Sequence, residues 1–250
     1  MAFTVVAWSE SQDTSNVLTN VAALADQHVT VTGDDVKVPG FASNLIGVYA
    51  GGTTITQAQL SSPSLRAQNL KDVIPLNVGA EPTSPPGLSM FNEKPIKLVP
   101  AEALQSLVAE NAAGAERENV VAFLQGEFKA APNGEVRTVR ATNGSTLIAF
   151  TWTLGALTFS QQLAAGRYAI VGMRAQSAGL LAARLVIPGS EYRPGCIGTD
   201  SEGDISHEVF RNGTLGNWGE FEHDTPPQVE FLSVSADTSQ IVYLDLVKIA

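Results

Sequence analysis

Acidic side chains crowd two short stretches late in the chain: Asp200, Glu202 and Asp204 with His207 and Glu208, then Glu220 and Glu222 with His223 and Asp224. Oxygen donors at that density are what Ca²⁺ binds. Asp200, Glu202 and Asp204 are therefore the candidate metal ligands, with Ca²⁺ the candidate ion. The run Asp200-Ser201-Glu202-Gly203-Asp204 lacks the length and register of an EF-hand loop, and a solvated or subunit-contact loop uses the same residues. His223 beside Glu220 or Asp224 has the residue types of an acid–base pair, but no nucleophile or oxyanion donor set adjoins it. Gly-x-Ser-x-Gly, His-x-His, P-loop and Gly-x-Gly-x-x-Gly patterns are absent from the sequence. The expectation is no catalytic residue and no cofactor beyond the candidate Ca²⁺.

The aromatic residues suggest binding rather than catalysis. Trp218 and Phe221 sit in Gly213–Pro227, where Gly213, Gly216 and Gly219 weigh against a regular strand and Thr225-Pro226-Pro227 stiffens the exit. A bulky aromatic on such a loop needs somewhere to bury, so Trp218 and Phe221 are the candidate inter-subunit anchors; the other reading packs Trp218 on its own sandwich. Trp152 and Trp218 could form a sugar platform, although buried aromatics of the core or an interface account for them more simply. Cys196 is alone, which excludes an intrachain disulfide, and reads as a small semi-buried hydrophobe.

Composition narrows the class. Hydrophobic residues make up 44% of the 250 and charged residues only 16%, against about 25% in an average soluble chain. So sparse a set of charges suggests that much of the surface faces other protein. Net charge is −10, from 15 basic and 25 acidic residues, with no Lys/Arg run, so direct binding of nucleic acid is not expected. The apolar start is short and has no positive n-region, and no apolar run approaches the roughly 20 residues that span a bilayer. A soluble chain made in the cytoplasm is the expectation.

The elements that must position these residues read as strands. Ser145–Pro188 holds four β-rich runs separated by Gly-containing turns, and Arg167–Ala175 alternates between two apolar faces, as a strand inside a sandwich does. Generous counting gives about sixteen strands. Asn16–Asp26 reads as a short helix or an extended arm, Ser61–Asn69 as a loop, and Glu81–Ser89 as a Pro-rich strap. Pro132-Asn133-Gly134 reads as a hairpin turn. One helix is predicted over Pro100–Asn111, from the N-terminal Pro, Glu102 in the first turn, and Ala103, Leu104, Leu107 and Val108 on one face. Ala112–Glu118 reads as a linker, dividing the chain into 1–115 and 116–250.

The halves also resemble each other. An offset of 125 residues lays Leu45–Pro63 on Ile170–Pro188 without a gap, with five identities in nineteen positions: Gly47/Gly172, Ala50/Ala175, Ala58/Ala183, Leu60/Leu185 and Pro63/Pro188. A duplicated β unit follows.

With these paired segments, the interposed Pro100–Asn111 and the late Gly213–Pro227 loop, the chain resembles the double jelly-roll major capsid proteins of small icosahedral, lipid-containing bacteriophages. The resemblance implies an all-β fold of two side-by-side jelly-roll sandwiches with one short helix between or beside them. It implies a structural virion protein rather than an enzyme, self-assembling as homotrimeric, pseudo-hexameric capsomers of an icosahedral lattice. The implied further partners are penton or membrane-associated virion proteins, not nucleic acid, and the implied location is the virion. Two other classes use the same sandwich: a carbohydrate- or receptor-binding, spike-like module, and a cupin-like or glycosidase enzyme joining His207 or His223 to two carboxylates.

Overall fold

The computed structural model describes residues 3–12, 16–26, 28–52, 54–68, 74–75, 78–79, 88–111, 116–201 and 208–250. The chain forms two compact units, Val5–Gly126, and Met1–Thr4 with Glu127–Ala250. The expected division near residue 115 moves to 126, because the strand that follows 115 closes the first unit.

The strands of the first unit are β1 (Phe3–Gln12, which enters this unit at Val5), β2 (Thr19–Asn20), β3 (Val31–Thr32), β4 (Asp35–Lys37), β5 (Asn44–Gly51) and β6 (Ile55–Ser61), followed by helix α1 (Pro63–Ala67). Then come β7 (Ile74–Pro75), β8 (Val78–Gly79), β9 (Ser89–Met90), β10 (Ile96–Lys97), β11 (Ala103–Glu110) and β12 (Glu116–Gln125). One sheet runs β1-β12-β5-β10 and the other β3-β4-β11-β6-β7. Counting the β3/β4 hairpin as one and setting aside the short β2, β8 and β9, the strands run first-eighth-third-sixth in one sheet and second-seventh-fourth-fifth in the other. That is the order of a jelly roll, two interlocked Greek keys. Its core holds Trp8, Leu45, Val48, Leu60, Leu104, Val108, Val120 and Leu124.

The second unit contains β13 (Val136–Asn143), β14 (Thr153–Ala156), β15 (Thr158–Phe159), β16 (Arg167–Gln176), β17 (Leu180–Val186), β18 (Gly195–Thr199), β19 (Gly219–Glu222), β20 (Gln228–Ser233) and β21 (Gln240–Lys248). Its sheet runs β14-β20-β17-β18-β16-β21-β13-β15, with β19 also paired to β16. The link between β18 and β16 is a short parallel pairing, Ala175 with Gly198 and Gln176 with Thr199. Cut there and with β15 set aside, the order is again first-eighth-third-sixth and second-seventh-fourth-fifth. The fold is all-β, two jelly rolls in one chain.

The 125-residue offset survives in the hydrogen bonding. β5 and β16 are the third strands of their units, and β6 and β17 the fourth. The β5–β12 register skips Ile46 and the β16–β21 register skips Val171; these two residues are 125 apart. The β6–β11 register skips Thr56 and the β17–β20 register skips Leu181, again 125 apart. Each skip is a β-bulge, an extra residue that reverses which face the strand presents. Leu45, Val48 and Ala50 thus share one core, although strict alternation would put Leu45 on the opposite face. The simple two-face alternation expected over Arg167–Ala175 fails at Val171 for the same reason.

Three local expectations change. Pro100–Asn111 is not a helix. Its residues 103–110 form β11, whose Leu104, Ser106 and Val108 are buried while Gln105 and Leu107 are half-exposed; Leu104 and Val108 satisfy a period of two as well as a helical spacing, and pairing with β6 decides. The short helix lies instead at Pro63–Ala67, in the segment expected to be a loop. Ser62 caps it by accepting from the Leu65 amide, and Glu102 adds a bond from the Ser64 amide (2.9 Å). Pro132–Gly134 does not turn a hairpin, since the strands flanking it, β12 and β13, belong to different units. Asn16–Asp26 takes the extended form, with the Leu24 amide bonding Ala7 O (2.9 Å). Residues 81–87 of the Pro-rich strap lie outside the described residues.

The shared glycine of the repeat has a shared task. A Cβ on Gly172 would lie 2.8 Å from Phe210 O and 2.9 Å from Arg211 Cα, and one on Gly47 would lie 2.5 Å from Met90 Sδ. A second segment lies against each third strand there, the Phe210–Arg211 backbone at Gly172 and the Met90 side chain of the paired strand β9 at Gly47. Gly172→Ala is expected to cost about 1–3 kcal/mol, because backbone atoms must move. Gly47→Ala should cost less, the thioether end being able to swing away, and Gly40→Ala, which has open space, should be near neutral. Urea unfolding of the three variants gives the order.

Candidate functional site

The late loops hold most of the sequence-predicted residues, and the structure separates them. Asp200 accepts from the Gly179 amide through Oδ1 at 2.7 Å, which pins the β16–β17 turn, where Gly179 has φ +67°. Glu202, Asp204 and His207 lie outside the described residues. Among the described residues, no group of three or more His, Cys, Asp or Glu side chains converges on a point. His223 bonds strand-end backbone rather than a carboxylate: its amide donates to Gly166 O (3.0 Å) and its Nδ1 accepts from the Gly166 amide (3.4 Å). Asp224 accepts from Thr225 Oγ1. His223 is thus not paired with Glu220 or Asp224, the combination whose residue types suit an acid–base pair.

Gly213–Pro227 is partly strand, contrary to expectation. Gly219–Glu222 is β19, paired antiparallel to β16 with Phe221 opposite Tyr168 and Gly219 opposite Ile170. Gly219 is needed here because a Cβ would lie 2.4 Å from Ile187 Cδ1. Trp218 is 1% exposed and Phe221 4%. Trp218 meets Phe3 edge-on at 5.0 Å between ring centroids, and Phe221 stacks on Tyr168 at 5.8 Å. Both rings are spent inside their own unit, so neither keeps the surface that an inter-subunit anchor requires. The glycines that weighed against a strand are what let this segment lie close enough to bury them.

Beside Trp218 a groove of about 510 Å³ opens between Phe128, Ile187, Pro188 and Tyr192. Its floor is an ion-pair cluster: Glu220 takes Lys129 Nζ at 2.7 Å on Oε1 and Arg167 Nη2 at 2.8 Å on Oε2, with Asn217 Nδ2 at 3.1 Å. The Lys129 hydrogen bond, outweighing partial burial, holds Glu220 below the usual carboxylate range.

Two buried ion pairs were not foreseen. Asp245, with a fully buried side chain, takes Arg211 Nε on Oδ2 at 2.6 Å. It also accepts Arg211 Nη2 at 2.8 Å, Thr138 Oγ1 at 2.7 Å and the Asn212 amide at 3.0 Å. Burial pushes the Asp245 carboxyl up, but the bonds from Arg211, Thr138 and Asn212 outweigh it and hold the group below its ordinary value. Arg184, whose side chain is 0% exposed, bonds Glu230 Oε2 at 2.7 Å and lies 4.0 Å over the centroid of Trp152. Trp152 and Trp218 therefore make no shared platform: a guanidinium sits on the first ring, and the second is buried. Cys196 is buried, as expected of a small hydrophobe, and burial pushes its thiol up to about 12. The partners in each ion pair lie 34 and 46 residues apart, so no local pattern announces them.

No family model and no curated protein matches the chain. Among solved structures, it is similar to the major capsid protein P2 from bacteriophage PM2, at 10% identity over 98% of each chain and a TM-score of 0.26. The architecture rests on the hydrogen-bonded strand order.

Trp218→Ala is expected to lower folding stability by about 3–5 kcal/mol, the cost of a core Trp, and a melting curve reads it. Arg211→Ala leaves a buried carboxylate unpaired, for about 3–5 kcal/mol. The folded-state pKa of Asp245 is depressed, so its stabilisation is present above the unfolded value, about 3.9, and disappears as pH falls through the folded value. The gap between wild type and Arg211→Ala should therefore be full near neutral pH and narrow in acid, as unfolding titrations across pH 2–7 would show.

Proposed function

We propose that the chain is a structural virion protein, a major capsid protein that self-assembles into the shell of an icosahedral virus. The observation that carries this reading is the tandem jelly roll, one strand order built twice with bulges at the same 125-residue offset. Three chains of this kind bring six like units into a ring, so a homotrimer fills a six-fold position of a closed lattice. Obligate contacts in such a shell bury more than about 2,000 Å², and the 16% charged composition suits that demand. A net charge of −10 without a basic run favours a genome kept out of direct contact, behind a membrane or another virion protein.

The chemistry of the described residues supports a scaffold over the alternatives. An enzyme reading at His223 needs two carboxylates gathered at its ring, and among the described residues no three His, Cys, Asp or Glu side chains converge, while its Nδ1 accepts from the Gly166 amide. A glycan-binding reading needs an open indole face, and Arg184 covers Trp152 while Trp218 is buried.

Purified protein is expected to elute from size exclusion as a trimer and to form shells visible by negative-stain electron microscopy. A chain that sediments as a monomer at every concentration and yields no shells would refute the reading.

A further inference from the structure

Between Arg140 and Arg167 the chain carries no charged residue, a run of 26 positions from Ala141 to Gly166. A second charge-free run, Val38–Leu65, has 28, but it is core: only four of its described residues are exposed, and β5 is buried at every position. In Ala141–Gly166 twelve residues are exposed, with Ile148 at 60% and Leu154 at 49%. This run is surface, and it is neutral.

Its place in the fold is specific. It supplies β14 and β15, the two terminal strands of the second unit's sheet order. Asn143 Nδ2, donating to Ala156 O at 2.7 Å, ties the end of β13 to the end of β14, so the run lies along the open edge where the curled sheet's two ends meet. Free sheet edges pair with other chains unless charges, prolines or bulges prevent it, and none of the charges or prolines is present here. The carboxylate opposite Leu154, Glu230, has its charge drawn inward by the buried Arg184. Asp237, whose carbonyl accepts from the Leu147 amide, has its carboxylate occupied by Ser177 and by the Ala178, Thr238 and Ser239 amides.

We propose that this neutral edge is a contact between copies of this chain, with Ile148 and Leu154 as its apolar centre. The occupant follows from charge. Each copy carries −10, so two copies meet most readily where neither presents a carboxylate, and cores of protein contacts are depleted in charge. The inference deepens the capsid reading by naming one surface through which the chain meets itself.

The test compares the wild type, Ile148→Glu/Leu154→Glu, Thr158→Asp, and Val99→Glu as a control that adds the same single charge as Thr158→Asp on an exposed site of the other unit. Sedimentation velocity over a concentration series and melting curves are recorded for each. The expected result is association of the wild type and Val99→Glu, at least a tenfold weaker association for the double variant and Thr158→Asp, unchanged melting, and partial rescue by salt as the added charges are screened. Thr158 is exposed, so Thr158→Asp reads the contact even if the double variant fails to fold. Association of Thr158→Asp and the double variant at wild-type strength would overturn this contact and leave the capsid reading standing. A wild type that stays monomeric overturns both.

Discussion

Each unit has to bring a second segment against its own third strand where a Cβ would not fit. In the second unit, the turn at Phe210–Arg211 passes over Gly172 with no room for a Cβ, and in the first, β9 pairs beside β5 and sets the Met90 side chain against Gly47. The third strand is also the one with a bulge beside that glycine, at Ile46 and at Val171. Bulge and glycine solve different halves of the problem. The extra residue turns the strand and resets which side chains face the core; the missing side chain lets the crossing chain lie flat on it. With both in place, the strand can be paired along its edges and covered on its faces, and β5 is buried along its full length.

That constraint explains why the repeat is readable at all. Between the halves, core positions such as Leu45/Ile170 and Ile46/Val171 differ at little cost, since volume-conserving exchanges repack. A position crossed by backbone cannot drift. Gly172 is such a position, Gly47 faces the Met90 side chain of β9, and Ala50/Ala175 stands where the third strand meets a parallel neighbour, β8 in one unit and β18 in the other. The identities that make the 125-residue offset visible thus include sites where space, rather than polarity, decides.

Much of the strand content was legible for the usual reason, runs of β-branched and leucine residues between glycines, as in β16, β17 and β21. The failures have specific causes. In 103–110 Leu104 and Val108 fit a helical and a strand period alike, Ala103 and Leu107 fit only the helical one, and pairing with β6 overrides them. In Gly219–Glu222 the glycine reads as a strand breaker, but the chain needs it because Ile187 occupies the space above. The Trp218 reading failed one level higher: that a loop aromatic must bury is sound, but sequence does not say against what, and Phe3, some two hundred residues earlier, lies outside any local window. The Arg184–Glu230 and Arg211–Asp245 pairs share that invisibility, being joined only by strand register.

Those pairs have a role beyond adding attraction. A buried ion pair is often no more stabilising than apolar residues of the same volume, because both ions are stripped of water. Its penalty falls instead on the wrong arrangement, where one ion would be buried alone. Arg184 stands opposite Glu230 in the β17–β20 register, three residues beyond the bulge at Leu181. Sliding that register by one residue, with or without the bulge, would turn Glu230 to the other face and leave Arg184 buried without it. Asp245 stands opposite Gly172 beside the bulge at Val171 and binds the very segment that crosses there through Arg211 and the Asn212 amide. In the second unit, then, each bulge has a buried charge beside it. The bulges make the register ambiguous, and the charges make one choice of register far less costly than its neighbours. The same placement draws charge out of the surface, which leaves a chain already poor in charged residues with an even more neutral exterior.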